Sequence, residues 1–266
     1  MTFLSSTSNG HIKYVKALQE KNNFRKSEQR FTVEGQRELR IALESGYTLE
    51  KLFYVSQLFE IDQFKKQQSG SFEVFELSPP LYEHLAYRSS TEGVIGVFRQ
   101  KSHGLNHQLL VSDHPLVLVL ESIEKPGNLG AIFRTADAAK IDMVCLADSA
   151  VDLYNPNCIR SSLGCCLSVP CISGSNQEIL DWLTHHRIRS YAATLQNSNR
   201  YFEEDYRKGT AFIMGSEADG LSDFWRIHCT KAVNIPMNGR IDSMNVSVAT
   251  AVLTFEALRQ RNEQDS

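Results

Sequence analysis

The first hundred residues alternate between hydrophobic patterns typical of strands and patterns typical of helices. Gly35 leads into a helical pattern over 37–44, and Pro79-Pro80 suits the first turn of another helix. Short apolar runs predict strands at 31–33, 52–55, 72–75 and 94–97. We therefore predict a small α/β unit over residues 1–100.

The second half of the chain is more apolar and alternates in the same way. Residues 116–120 form a continuous apolar run, which is typical of a parallel strand covered on both faces. Further patterns predict strands at 143–146, 191–195, 211–214 and 232–235, and helices at 131–140 and from about 243 to about 263. This alternation indicates an α/β domain with a parallel sheet over 115–266. The residues between the two halves are polar with weak periodicity, and we place a linker at 101–114.

The last predicted helix is apolar around more than one stripe. One stripe consists of Val246, Ala249 and Leu253, and another of Val248, Val252 and Phe255. A terminal helix of this kind usually packs on two surfaces, so we expect it to lie against a sheet and against a second subunit.

Composition limits the class of protein. The chain has 266 residues, of which 42% are hydrophobic and 22% charged, as in soluble globular proteins of one large or two modest domains. No apolar run approaches the roughly 20 residues of a membrane helix. Residues 1–6 lack the pattern of a secretion signal, so we predict a cytoplasmic protein without a membrane partner.

Cysteines and histidines do not point to a metal site. The six cysteines include no CxxC pair, and Cys165-Cys166 lie within an apolar run, so we expect reduced, buried side chains. The paired histidines lie in polar stretches and lack the spacing of zinc ligands. We predict that the protein binds no metal.

Charge gives a local signal and no global one. The net charge of −3 does not favour nucleic acid over the chain as a whole. Residues 11–30 are nevertheless rich in basic side chains, with Lys13, Lys16, Lys21, Arg25, Lys26 and Arg30 against Glu20 and Glu28. This pattern fits either a solvated amphipathic helix with Ile12, Val15 and Leu18 on its apolar side or an arm that contacts phosphates. Charge alone leaves both interpretations open.

Three glycine-bearing loops carry the candidate chemistry. They span 121–130, 215–221 and 235–247, and ligands of α/β proteins bind beyond the carboxyl ends of the strands. Taken singly, their glycines fit ordinary turns and Ser243 fits a helix cap. The GxGxxG spacing of a nicotinamide dinucleotide site is missing, which disfavours an oxidoreductase. Arg134, near the start of the predicted helix after the first loop, suits phosphate binding.

Together the three loops resemble a known family. Their ordered motifs are Asn128-x-Gly130-x-x-x-Arg134, Gly215-x-Glu217-x-x-Gly220-Leu221, and Ile235-Pro236-Met237-x-Gly239-x-x-x-Ser243-Met244-Asn245-Val246-Ser247-x-Ala249. These resemble the three motifs of the SpoU (TrmH-like) RNA 2′-O-methyltransferases, and residues 160–164 are similar to that family's Arg-x-Ser-x-Gly segment. Residues 31–35 and 91–96 resemble its small substrate-binding domain. Met244 stands where the family usually has leucine, which is a volume-conserving difference.

The resemblance implies a fold, a cofactor and partners. It implies a deep trefoil knot in the C-terminal domain, a preceding RNA substrate-binding domain, and a homodimer formed through the knotted domain. The cofactor would be S-adenosylmethionine, in a pocket of Thr194, Leu195, Gly215, Ile235 and Met244. The reacting site would consist of Asn128, Arg134, Glu217, Ser243 and Asn245. RNA would be contacted by Lys13, Lys21, Arg25, Lys26 and Arg160.

The implied reaction is an attack of a ribose 2′-hydroxyl on the sulfonium methyl group. We expect Arg134 to bind the adjacent phosphate and to stabilise charge on the 2′-oxygen, because a guanidinium is always protonated. Asn128, Ser243 and Asn245 would orient the ribose and the arginine, and Glu217 would hold the cationic network. Ribosomal RNA is favoured over transfer RNA because the extra N-terminal domain resembles those of rRNA-directed members.

Three alternatives stay open beside this hypothesis. One is a tRNA 2′-O-methyltransferase, and another is a knotted methyltransferase that acts on a base nitrogen. The third is a non-catalytic RNA-binding factor for ribosome assembly, which the intact Arg134, Glu217 and Asn245 disfavour. A turnover assay separates the enzyme from the assembly factor.

Overall fold

The structure is a computed structural model, and it describes residues 2–68, 70–86, 92–105, 110, 112–149 and 151–263. The chain forms two compact units. Unit 1 consists of Met1–Ser102 and Asp152–Ser168, and unit 2 of His103–Val151 and Val169–Ser266. The segment Asp152–Ser168 belongs to unit 1 although it falls within the range predicted for the catalytic domain. Parts of the predicted linker (106–109 and 111), and Thr91 of the motif at 91–96, lie outside the described residues.

The elements alternate along the chain. The strands are β1 (Thr2–Leu4), β2 (Arg30–Glu34), β3 (Leu49–Tyr54), β4 (Glu73–Leu77), β5 (Val94–Arg99), β6 (Leu116–Glu121), β7 (Met143–Ala147), β8 (Cys171–Gly174), β9 (Arg189–Ala193), β10 (Asn199–Arg200), β11 (Thr210–Met214) and β12 (Lys231–Asn234). The helices are α1 (Gly10–Glu20), α2 (Asn22–Glu28), α3 (Gln36–Glu44), α4 (Ile61–Gln67), α5 (Pro79–Leu85), α6 (Pro126–Ala138), α7 (Pro156–Ser161), α8 (Cys165–Ser168), α9 (Asn176–His185), α10 (Asp223–His228) and α11 (Val246–Asn262).

Unit 1 contains a mixed five-stranded sheet in the order β1-β4-β3-β5-β2. The first three strands in this order are parallel, and β5 runs antiparallel to both β3 and β2. The four strands predicted in this half correspond to β2–β5, whereas β1 was missed. Helix α1 buries Ile12, Val15 and Leu18 in the core of the unit, as the spacing of these residues predicts.

Unit 2 contains a seven-stranded sheet in the order β10-β12-β9-β11-β6-β7-β8, and every strand pair in it is parallel. All residues of β6, β7 and β11 are buried, which confirms the expectation for apolar runs covered on both faces. The α/β class with a parallel C-terminal sheet is therefore confirmed. Strands β8 and β10 were not predicted, and the trefoil knot stays a prediction.

Two predicted helix starts in unit 2 are wrong. Helix α6 begins at Pro126, five residues before the predicted start, because proline at the first helical position has its φ angle preset for a helix. Asn128 therefore lies within the helix. Helix α11 begins at Val246, and Asn245 is its N-cap, with its side-chain oxygen accepting from the Ser247 N–H. Ser243, for which a helix cap was the ordinary alternative to a site role, lies outside the helix.

Other features of the described residues bear on the class of protein. Four cysteines are buried, Cys165 and Cys229 are half-buried, and all six are free thiols. The described residues contain no cluster of three or more His, Cys, Asp or Glu side chains suited to a metal ion. Within the part of the chain that the structure describes, none of the helices combines the length and the apolar character needed to cross a membrane.

Candidate active site

A cavity of about 820 Å³ lies in unit 2 at the carboxyl ends of β9, β11 and β12. Because these strands are parallel, the loops that follow them meet at one edge of the sheet. The start of α11 closes the same side. The lining residues are 193–196, 214–221, 233–235 and 241–246, with Lys125, Arg226, Met237, Ala249 and Leu253.

All five residues predicted to bind the cofactor line this cavity: Thr194, Leu195, Gly215, Ile235 and Met244. The backbone N–H of Thr194 donates to the carbonyl of Val233 at 3.0 Å, which ties the loop after β9 to strand β12. Leu195 is exposed and Ile235 and Met244 are half-buried, so the cavity offers apolar side chains beside the polar ones of Thr194, Glu217 and Asp219. Such a mixture suits a ligand with both an apolar ring and polar edges.

The loop after β11 is closed on itself. The backbone N–H groups of Ser216 and Gly220 each donate to the other residue's carbonyl at 3.1 Å, and Asp219 N–H donates to Ser216 Oγ at 3.0 Å. A Cβ atom on Gly215 would overlap the carbonyl group of Gly220 and the backbone nitrogen of Leu221. Gly220 has a φ angle of 69°. The loop therefore requires glycine at Gly215 for space and favours it at Gly220 for conformation.

Asn245 joins the beginnings of α11 and α6. Its Oδ1 accepts hydrogen bonds from the Ser247 N–H and Oγ at 2.9 and 2.6 Å. This cap fixes the orientation of the amide, so that Nδ2 donates to Asn128 Oδ1 at 3.2 Å. Two side chains from separate predicted motifs, 117 positions apart, thus lie in contact.

Glu217 lies at the rim of the cavity and pairs with Lys125 across a Nζ–Oε2 distance of 2.6 Å. The hydrogen bond to this carboxylate raises the pKa of Lys125. Lys125 also lines the cavity, and sequence reasoning did not select it. The available signal was a lysine directly before the proline that starts α6.

Two predicted site residues lack partners in the described part of the chain. Ser243 is exposed and lines the cavity. Arg134 is exposed on α6, outside the cavity lining, and no hydrogen bond or ion pair to a described residue holds its guanidinium. We expected Arg134 near the start of this helix. Because α6 begins at Pro126, Arg134 is its ninth residue, too far from the N-terminus to bind a phosphate together with the helix dipole.

The residues predicted to contact RNA belong to unit 1. Lys13, Lys21 and Lys26 are exposed, and so is Arg160, whose guanidinium donates to Asn157 Oδ1 at 3.0 Å. These four side chains are accessible to a phosphate.

Arg25 must be removed from the predicted RNA contacts. It is only 1% exposed, and its Nε donates to Asp152 Oδ2 at 2.6 Å. Its Nη1 donates to the carbonyls of Leu18 and Gln19 at 2.7 and 3.1 Å. A guanidinium held in this way supports the packing of unit 1, because releasing it would leave buried acceptors unpaired.

Comparison with known families decides between the interpretations of the three loops. The model of the SpoU rRNA Methylase family matches residues 115–255, and that of the MRM3-like substrate binding domain matches residues 9–96. The chain belongs to the SpoU rRNA methylase family. The resemblance drawn from the three motifs is therefore confirmed.

Relatives of this SpoU-family chain share nearly its whole length. The 23S rRNA (uridine(2479)-2′-O)-methyltransferase of Streptomyces viridochromogenes is 28% identical, over 96% of this chain and 92% of its own. A crystal structure of an RNA 2′-O ribose methyltransferase is 36% identical, with a TM-score of 0.83 over 98% of this chain and 100% of its own. The AdoMet-bound rRNA methyltransferase of Sinorhizobium meliloti is 26% identical, with a TM-score of 0.88 over 97% of both chains.

Proposed function

We propose that this SpoU-family chain transfers a methyl group from S-adenosylmethionine to a ribose 2′-hydroxyl of ribosomal RNA. The observation that carries the proposal is the strand-end cavity, where all five predicted cofactor residues lie beside the Asn128–Asn245 contact. Relatives that are named as rRNA 2′-O-methyltransferases support the reaction and the RNA class.

The cavity fits S-adenosylmethionine in size and in chemistry. Its volume of about 820 Å³ falls within the roughly 300–1,000 Å³ of small-molecule sites. We place the adenine edge against the loop after β11, which lines the cavity, and Leu195, Ile235 and Met244 offer apolar contacts. Among the lining residues, the carboxylates of Glu217, Asp219 and Asp242 outnumber the cations Lys125 and Arg226, which leaves net negative charge at a site for a cationic sulfonium. When bound, this cofactor supplies an electrophilic methyl group.

The residues of the chain then bind and orient the ribose. Asn128 and Asn245 hold each other, which fixes two amides at the position where we place the ribose. Arg134 binds the adjacent phosphate with its guanidinium and stabilises negative charge that develops on the 2′-oxygen. A protonated guanidinium cannot act as the base, so the proton of the 2′-hydroxyl passes to solvent water as the methyl group is transferred. Ser243, exposed at the cavity, orients the substrate.

RNA binding by unit 1 is expected to depend on Lys21 and Lys26. Replacing both with alanine should weaken RNA binding and reduce the slope of log affinity against log salt by about 1 for each lysine that contacts a phosphate. Lys65→Ala/Lys66→Ala is the matched control, since both lysines are exposed on α4 of the same unit. Filter binding to rRNA at several salt concentrations measures the slopes. Equal slopes for the two double variants would contradict the assignment.

We further propose a homodimer formed through α11. Val248 and Phe255 are 51% and 49% exposed, and they share one stripe of the helix with the half-buried Val252. The residues Thr250, Leu253 and Ala257 are buried within unit 2, so the stripe is left for a partner.

A charge placed in this stripe should dissociate the dimer. We expect Phe255→Asp to sediment as a monomer while its circular dichroism stays that of the parent, because burying an unpaired carboxylate at an interface is costly. Ile227→Asp is the control, since Ile227 is exposed to 73% but lies on α10. Parental sedimentation of Phe255→Asp would exclude this surface as the interface.

A methyl-transfer assay tests the proposed function. Purified protein is incubated with labelled S-adenosylmethionine and unmodified ribosomal or transfer RNA, and the RNA is digested to nucleosides for mass spectrometry. We expect a 2′-O-methylnucleoside in the ribosomal RNA. A methylated base would identify a base-nitrogen methyltransferase, and methylated ribose in transfer RNA alone would change the RNA class. Cofactor binding without methylation of either RNA would favour an assembly factor.

A further inference from the structure

Glu121 is a buried carboxylate that the proposed mechanism does not use. It is the last residue of β6 and is 3% exposed. Its Oε1 accepts from Asn176 Nδ2 at 2.8 Å and from Ser222 Oγ at 2.5 Å, and its Oε2 accepts from the Ser222 N–H at 2.8 Å. Among the described residues, no cation pairs with it. A carboxylate so buried needs every one of these hydrogen bonds.

The hydrogen-bond donors around position 121 can be satisfied by a carboxylate but not by an amide. Trp225 is fully buried, and its indole N–H donates to Asn176 Oδ1 at 2.7 Å. Because indole can only donate, this bond fixes the Asn176 amide with its Nδ2 toward Glu121. The Ser222 N–H faces the other carboxylate oxygen. Both oxygens of residue 121 must therefore accept, which glutamine cannot do.

These contacts join three strand-end loops. Asn176 is the first residue of α9, which follows β8, so the positive end of that helix also favours the carboxylate. Ser222 directly follows the loop 215–221 and precedes α10. Glu121 itself begins the segment that leads to Lys125, whose side chain pairs with Glu217. Two contacts therefore hold the loop 215–221 to the segment after β6. Glu121 makes one of them through Ser222, at the end of the loop, and Lys125 makes the other through Glu217, at the cavity rim.

We propose that Glu121 is a positioning residue for methyl transfer, and that its buried carboxylate sets the shape of the cofactor loop 215–221. It does not line the cavity and acts through Ser222, whose neighbour Leu221 does line it. This inference rests on the proposed function, since it assigns the loop to S-adenosylmethionine. The same carboxylate couples the loop to α9 through Asn176.

A charge swap tests this role. In Glu121→Gln, one amide N–H would face either Asn176 Nδ2 or the Ser222 N–H, so a buried donor loses its acceptor. In the double variant Glu121→Gln/Asn176→Asp, the new Asp carboxylate accepts from Trp225 Nε1 and from the Gln amide. The Gln oxygen then accepts from the Ser222 N–H. Both changes are isosteric, and the total charge of the pair is kept.

The four proteins to compare are the parent, the two single variants and the double variant. We expect Glu121→Gln to raise the Kd and the KM for S-adenosylmethionine about tenfold, with the KM for RNA nearly unchanged. Asn176→Asp sets two carboxylates against each other and should weaken cofactor binding at least as much. The double variant should regain most of the affinity, and this non-additivity is the signature of the network.

The measurements are titration calorimetry with S-adenosylmethionine, steady-state kinetics and thermal unfolding of the full chain. Lowered thermal stability in the single variants with parental cofactor affinity would show a merely structural role and overturn the proposal. Failure of the double variant to regain affinity would also overturn it. A parent that binds S-adenosylmethionine but methylates no RNA would refute the proposed function, and the four cofactor affinities would still decide the role of Glu121.

Discussion

Replacing Arg134 with alanine should slow methyl transfer by about 100-fold or more and leave the affinity for S-adenosylmethionine within about twofold. The guanidinium is exposed on α6 and lies outside the cavity lining. It makes no hydrogen bond or ion pair within the described part of the chain, so its loss breaks none of the polar contacts found there. The loss should therefore appear in RNA binding and in the rate with saturating RNA, while the cofactor affinity stays near that of the parent.

Single-turnover kinetics with saturating RNA, together with calorimetry for the cofactor, measure the two quantities separately. Arg134→Lys is the matched control, because it keeps the charge but loses the forked donor geometry suited to phosphate. We expect its rate to fall between those of the parent and the alanine variant. A parental rate for Arg134→Ala would exclude the assignment. A loss of cofactor affinity as large as the loss of rate would place Arg134 in ground-state binding.

The sequence predicts the lining of the strand-end cavity better than it predicts the helix boundaries. Gly215 and Met244 come from two of the three motifs, and Thr194 from the predicted strand at 191–195; all three line one cavity. The start of α6 was missed because glycine and asparagine are weak helix formers, and their presence outweighed the signal of Pro126. Serine and asparagine are comparable N-caps, so local sequence could not rank Ser243 against Asn245.

Contacts between residues far apart in the sequence explain the remaining errors of the prediction from sequence. Arg25 lies in a basic stretch, and nothing nearby in the sequence separates it from its exposed neighbours Lys21 and Lys26. Its partner Asp152 is 127 positions away, within the segment Asp152–Ser168 that packs into unit 1. The Glu121–Ser222 contact spans 101 positions and was likewise invisible. Residue types and their spacing can predict a site, but burial of a charged side chain depends on such distant partners.

The loop after β11 should tolerate no side chain at Gly215. In Gly215→Ala, the new Cβ overlaps backbone atoms of Gly220 and Leu221, which cannot turn aside as a flexible side chain could. Relief requires the loop to open, with loss of the paired Ser216–Gly220 hydrogen bonds. Two such bonds contribute about 1 kcal/mol each, and the loop also forms one wall of the cavity. We expect the Kd for S-adenosylmethionine, measured by calorimetry, to rise about 30-fold or more.

Substitutions at two other glycines separate the steric cause of this loss of affinity from a conformational one. A Cβ on Gly239 or on Gly220 meets nothing within 4 Å, but Gly220 has a φ angle of 69°. Gly239→Ala should therefore bind the cofactor as the parent does, whereas Gly220→Ala carries only a conformational cost of about 1 kcal/mol. The expected order of affinity loss is Gly215→Ala, then Gly220→Ala, then Gly239→Ala. Gly215→Ala could bind S-adenosylmethionine as tightly as Gly239→Ala does. In that case the cofactor would not bind against the closed loop, because opening the loop would leave the affinity unchanged.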